Sequence, residues 1–233
     1  MSIRAWLADG LLVLLTVVGC AAPNLSRTVG RGNGELHAAA GGPFFASLGP
    51  TVPVPHVNVG GRVGATDWLD VDFGTNVLSW AFALLSLDVA ANVQIYRKPG
   101  GLAVAASTRL YMLGDLDDAP GFRAYPEVGL HLGGPVPKVK WLALYGGATT
   151  AYSFRTPREG AAMFVTPFFG TEFLFPVREP KRADAKPRQH GLALHASWTN
   201  PWDDRPSVMD YRPRFGAMGV YLGYRVRFGG LDR

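Results

Sequence analysis

The chain has 233 residues, 48% hydrophobic and only 18% charged, with 29 glycines, 13 phenylalanines and a formal net charge of +5. That length suits one sizeable domain, and a single cysteine, Cys20, excludes an internal disulfide. The basic residues form no stripe broken by stacking aromatics, which argues against nucleic-acid binding, and no apolar run is long enough for a membrane-spanning helix.

At the start, Arg4 precedes an apolar core, Gly10 to Val18, and then Val17-Val18-Gly19-Cys20. The core is too short to span a bilayer and has the build of a secretory signal. The four residues ending in Cys20 resemble the lipobox of bacterial lipoproteins. That resemblance implies a signal peptide over 1–19 and an acylated Cys20 as the first mature residue. Ala21 after the cysteine, rather than Asp, implies sorting onward to the outer membrane. A secretory cut near Ala21-Ala22 and a short uncut anchor are the alternatives. Each buried methylene of an acyl chain contributes about 0.8 kcal/mol to membrane attachment. Residues 20–34 are small and polar (Ser26, Thr28, Gly30, Gly32, Asn33) and are expected to form a flexible tether.

From residue 35 onward, strand-like runs recur with turn residues between them, and no stretch has helical periodicity. Glu35 to Leu48 alternates loosely, blurred by Gly41-Gly42-Pro43. His56 to Ala65 sets Val57, Val59 and Val63 against His56, Asn58 and Arg62. The third run opposes Leu69, Val71 and Phe73 to Asp70 and Asp72. Leu78 to Leu85 reads as an apolar capping connection. The fourth run sets Leu87, Val89, Ala91, Val93 and Ile95 against Asp88, Ala90, Asn92, Gln94 and Tyr96. After the turn Lys98-Pro99-Gly100-Gly101, the fifth opposes Val104, Ala106, Thr108 and Leu110 to Ala105, Ser107, Arg109 and Tyr111. The sixth sets Phe122, Val128, Leu130 and Leu132 against Arg123, Tyr125, Glu127 and His131. Lys140 to Ser153 is the seventh run, with Tyr152 and Phe154 at an interface. Met163 to Phe175 is the eighth, with Glu172 opposite Phe169, Phe173 and Phe175. The ninth places Leu192, Leu194, Ala196 and Trp198 against Ala193, His195, Ser197 and Thr199.

The tenth run, Pro213 to Phe228, has Met218, Val220, Leu222, Tyr224, Val226 and Phe228 on one face. Gly219, Tyr221, Gly223, Arg225 and Arg227 lie on the other. Its end, Tyr221 to Phe228, resembles the signal that closes bacterial outer-membrane barrels: Gly223, Val226 and Phe228 occupy the expected places, followed by a tail over 229–233. The expected fold is all-β: an antiparallel up-and-down transmembrane barrel over 35–228, with about ten strands (about eight to twelve allowing for misread boundaries).

The polar faces decide between that fold and a soluble β-barrel. They carry Ala, Gly, Ser and Asn with isolated charges, where a solvent-facing sheet would be rich in Lys and Glu. A narrow lumen suits such residues. Arg62, Arg109, Arg123, Arg225 and Arg227 are expected to pair there with Asp70, Asp72, Asp88, Glu127 and Glu172.

Three constellations have a chemical reading. His195 and Ser197 share a strand face, and a serine nucleophile needs such a base and an orienting carboxylate. The His-x-Ser spacing resembles that of the outer-membrane lipid A deacylases, with Asp210 standing for the family's glutamate, although Trp198 replaces its Asn. The loop Asp115-Leu116-Asp117-Asp118 lacks the Gly and distal Glu of a calcium loop and reads as a surface turn. The basic segment Arg178 to Arg188 reads as a hydrated linker, with a phosphate or peptidoglycan contact as the functional alternative. No metal-ligand spacing or nucleotide cradle is present, so no cofactor is expected.

The sequence therefore points to an outer-membrane β-barrel lipoprotein with both termini in the periplasm and a structural, adhesive or narrow-pore role. Expected partners are outer-membrane lipid and lipopolysaccharide, with the barrel-assembly and lipoprotein-sorting machinery. A barrel hydrolase using His195 and Ser197, and a soluble lipid-anchored binding barrel, are the alternatives.

Overall fold

A computed structural model describes residues 24–45, 52–53, 56–81, 83–115, 122–154, 161–179, 186–203 and 217–229. The strands are β1 (Gly34–Phe45), β2 (Val52–Pro53), β3 (His56–Gly64), β4 (Leu69–Asn76), β5 (Leu84–Arg97), β6 (Ala103–Asp115), β7 (Arg123–Val136), β8 (Val139–Tyr152), β9 (Met163–Leu174), β10 (Arg188–Thr199) and β11 (Ala217–Phe228). Apart from β2, a two-residue ribbon on the end of β1, each strand pairs antiparallel with its neighbours in the chain. β1 also pairs with β11, from Gly34 opposite Phe228 to Pro43 opposite Gly219. Among the described residues this closes an up-and-down barrel of ten strands, the expected fold class. Among the described residues, closure leaves no unpaired edge in the ten-stranded wall.

The alternation read from the sequence becomes the two faces of the wall. On β11, Tyr221 is 2% exposed and Leu222 54%. Val59, Phe73, Val89, Val93, Val128, Leu130, Phe169 and Leu194 all face outward, while Arg62, Asp72, Asn92, Arg109, His131, Glu172 and Arg225 are buried inside. The barrel is thus apolar outside and polar within, the reverse of a soluble one. One departure occurs on β5. A register shift between Gln94 and Tyr96 turns Tyr96, expected inward, to the outer face beside Ile95. An extra residue in one strand reverses the direction of the next side chain.

The two rims differ. The rim holding both ends of the wall, Gly34 and Phe228, also has the short connections at 65–68, 98–102 and 137–138 and the longer one at 175–187. At the opposite rim, β4 and β5 are joined through α1 (Val77–Trp80), the apolar connection of the sequence, capped by Asn76, whose side chain accepts a hydrogen bond from the Leu78 backbone N–H at 3.1 Å. Exposed aromatics mark both rims: Trp68, Tyr96, Trp141 and Phe175 on the short-turn side, Trp80, Phe122, Tyr152, Phe154 and Trp202 on the other.

Residues 24–33 correct one expectation. Their small, polar composition suggested part of a flexible tether, yet Leu25, Ser26, Thr28 and Val29 are all buried. The segment runs across the short-turn mouth of the barrel as a strap. Its backbone supplies the reason: it hydrogen-bonds to lumen side chains, which hydropathy does not register.

Candidate functional site in the lumen

Residues that face each other across adjacent strands on one side of a sheet are close enough to interact. Glu35 lies opposite Arg62 on β3 and Arg227 on β11, and Arg62 lies opposite Asp72 on β4. All point inward, so the register itself assembles an ion network. Glu35 is its hub: Oε1 is 3.3 Å from Arg62, and Oε2 is 3.1 Å from Arg225 and 3.2 Å from Arg227. Arg62 continues to Asp72 at 3.4 Å and Asp70 at 3.9 Å, and Asp72 to Arg109 at 3.2 Å. Arg109 also pairs with Asp88, and Arg225 with Glu172. Glycine makes room for the last pair. A Cβ at Gly191 would sit 2.7 Å from a Glu172 oxygen.

An isolated buried ion carries a desolvation penalty of several kcal/mol, so these charges are tenable only because each is shared. Arg62, Asp70 and Asp72 have essentially no exposed surface.

Glu127 is half-buried opposite Arg109 on the β6–β7 ladder and hydrogen-bonds with Thr149 and Tyr111. Among the described residues Arg123 does not join the network. It is the first residue of β7, opposite Leu113, and is exposed at the rim, beyond the enclosed part of the wall. Glu35 does not stand out as the hub in the sequence. The signal was its place in the alternation Glu35, His37, Ala39 opposite Leu36, obscured by the glycines that follow.

The strap completes the short-turn end. The Asn92 amide donates to Leu25 O at 2.9 Å, Gln94 Nε2 donates to Ser26 O at 2.9 Å, and the Thr28 N–H donates to Gln94 Oε1 at 3.0 Å. The Val29 N–H donates to Asp70 Oδ2 at 2.9 Å, and Asn24 Nδ2 to Glu172 Oε2 at 3.2 Å. The strap therefore binds to the same carboxylates that the arginines hold.

Toward the other rim the lumen is aromatic. His195 packs against Tyr145, Phe168 and Tyr221, with ring centroids 5.4 to 5.9 Å apart. Its Nδ1 has no hydrogen-bond partner, and none joins it to Ser197 among the described residues. This corrects the expected His195–Ser197 pairing. Residues two apart on a strand are separated by about 6.5 Å along it, too far for direct contact unless both side chains lean together. The ring instead lies among its aromatic neighbours. A serine and a histidine do meet elsewhere: Ser107 Oγ is 2.8 Å from His131 Nε2, buried in the lumen. Phe168 covers the His131 ring at 5.3 Å. Cys20, Asp117, Asp118 and Asp210 lie outside the described residues. Among those described, no three His, Cys, Asp or Glu side chains are grouped to hold a metal ion.

No family model matches this chain, and no curated protein is similar to it.

Proposed function

We propose that this chain is an outer-membrane β-barrel lipoprotein of a diderm bacterium whose closed lumen gives it a structural role in the membrane rather than one in solute passage. The observation that carries this reading is the inverted polarity of the wall, with aliphatic side chains outward, shared charges inward and aromatics at both rims. Strands β5 to β8 are 13 or 14 residues long. At about 3.3 Å per residue and a tilt near 40°, they reach roughly 33–35 Å, enough for a hydrocarbon layer of about 30 Å.

Three short turns among the four connections at one rim, against longer connections throughout the other, favour the short-turn rim as the periplasmic one. The strap supports the same orientation. Asn24 lies at that mouth, and four residues back to Cys20 span at most about 14 Å. An acyl anchor on Cys20 then lies close to the inner leaflet. The buried ion network and the strap argue for a plugged barrel.

The test is a Cys20→Ala variant expressed in a diderm host. The barrel is expected to stay with membranes through alkaline carbonate and urea washes, while palmitate incorporation is lost. Release of the variant into the wash overturns the membrane-barrel reading. Ohmic single-channel conductance from the wild-type protein in planar bilayers overturns the plugged-lumen reading.

A further inference from the structure

Beside the strap, on the β7–β11 side of the short-turn mouth, lies a vestibule of about 760 Å³. That volume is within the range of small-molecule sites, about 300–1,000 Å³. Its lining includes Arg225 and Arg227 of β11 together with Asn24 and Glu172, and Leu174, Phe175, Pro176 and Val177 make an apolar side. Arg225 is taken up by Glu35 and Glu172. Arg227 differs. It is only 8% exposed, and among the described residues its guanidinium has one partner, Glu35 Oε2, reached through Nε at 3.2 Å. Its terminal nitrogens remain as donors in a largely desolvated site, with Arg27 and Lys138 adding positive charge to the lining. A planar guanidinium with two parallel donors suits an oxyanion, phosphate or carboxylate.

We propose that the vestibule is a binding site for a phosphate-bearing amphiphile, with the phosphate on Arg227 and the apolar part against Leu174, Phe175 and Val177. The chemistry fits a phospholipid headgroup from the adjacent leaflet, and free phosphate shares its polar half. The site does not depend on Cys20 being acylated.

The experiment uses the full chain in a nonionic detergent, titrated by calorimetry with dihexanoyl phosphatidic acid, inorganic phosphate and dihexanoylglycerol. Phosphatidic acid is expected to bind, and the phosphate-free diglyceride is not. Arg227→Gln is expected to weaken phosphatidic acid by about tenfold or more, the loss of a charge-assisted pair of hydrogen bonds. Leu174→Trp, which narrows the apolar side without touching an ion pair, is expected to weaken the lipid and spare free phosphate. Arg188→Gln, at the exposed rim over Phe228, is expected to change nothing. Phosphate binding as tightly as the lipid, and lost with Arg227→Gln, assigns the site to the free anion. The proposal is overturned if neither phosphate compound binds, if Arg227→Gln binds like wild type, or if Arg188→Gln loses as much as Arg227→Gln.

Discussion

Glu35 and Arg227 face each other across the pair of strands that closes the barrel, with Oε2 and Nε 3.2 Å apart. One is the second residue of the first strand and the other the second-last of the final strand. The contact therefore joins segments 192 residues apart in the chain, and the same carboxylate also holds Arg62 and Arg225. Barrel closure and charge neutralisation are one event at this point.

Removing the hub is expected to be costly. Glu35→Gln leaves three guanidinium groups sharing fewer carboxylates, and breaking a buried pair from one side costs about 3–5 kcal/mol. The urea midpoint of the folded band in detergent is expected to fall sharply. A Glu35→Gln, Arg62→Gln double variant removes one charge of each sign and is expected to recover part of the loss. If the single variant unfolds at the wild-type midpoint, the hub role is wrong.

The outer face yields a second expectation. Leu222 is among the most exposed side chains of β11, midway along its strand. Leu222→Arg is expected to destabilise the barrel in lipid vesicles by about 2–4 kcal/mol, the cost of a cation at the bilayer midplane. Gln at the same position is expected to cost less. Folding of Leu222→Arg into vesicles with wild-type stability would show that this face meets water or protein instead.

Much of this was legible because a strand has a period of two, and period two survives in a single sequence. β3, β4, β6 and β11 keep strict alternation, which by itself puts Arg62, Asp72, Arg109 and Arg225 on the inner face. The tenfold repetition of such runs then implied closure. Legibility failed where the determinant was not hydropathy. The shift at Gln94/Tyr96 reverses Tyr96 without any change in composition, and Arg123 obeys the pattern but sits where the enclosed wall ends. The strap was invisible because Leu25, Ser26, Thr28 and Val29 are bound through their backbone groups.

The aromatic surroundings of His195 give a third expectation. Its Nδ1 lacks a partner while three rings pack around it, so the imidazole makes few polar contacts that an apolar ring would forfeit. His195→Phe is expected to leave the thermal midpoint unchanged or to raise it, because a buried unsatisfied polar atom is removed. Ser197→Ala is expected to leave hydrolysis of a short-chain nitrophenyl ester at the level of the wild-type protein. A drop in hydrolysis with Ser197→Ala would restore the hydrolase reading, since nothing else in that substitution disturbs the lumen.

The strap supplies the last expectation, which hinges on Gln94. That side chain, 3% exposed, has its two-donor amide nitrogen within hydrogen-bond distance of Ser26 O, Tyr96 O and Val104 O, and its Oε1 accepts from the Thr28 N–H. It holds the bulged end of β5 and the strap together. Gln94→Ala leaves the Thr28 N–H without that acceptor, a loss of about 1–3 kcal/mol if the group stays buried. The strap has an alternative the wall does not: it can leave the mouth and hydrate its backbone, at the expense of its contacts with Asn92 and Asp70. Hydrogen exchange is therefore expected to rise at Ser26, Thr28 and Val29 well before any amide in β6 or β7 responds. A cysteine placed at Ser26 is expected to react with a water-soluble maleimide faster in the Gln94→Ala background, in a chain also carrying Cys20→Ala. If strap and wall amides lose protection together, the strap is an integral part of the barrel. If neither changes, Gln94 does not hold it.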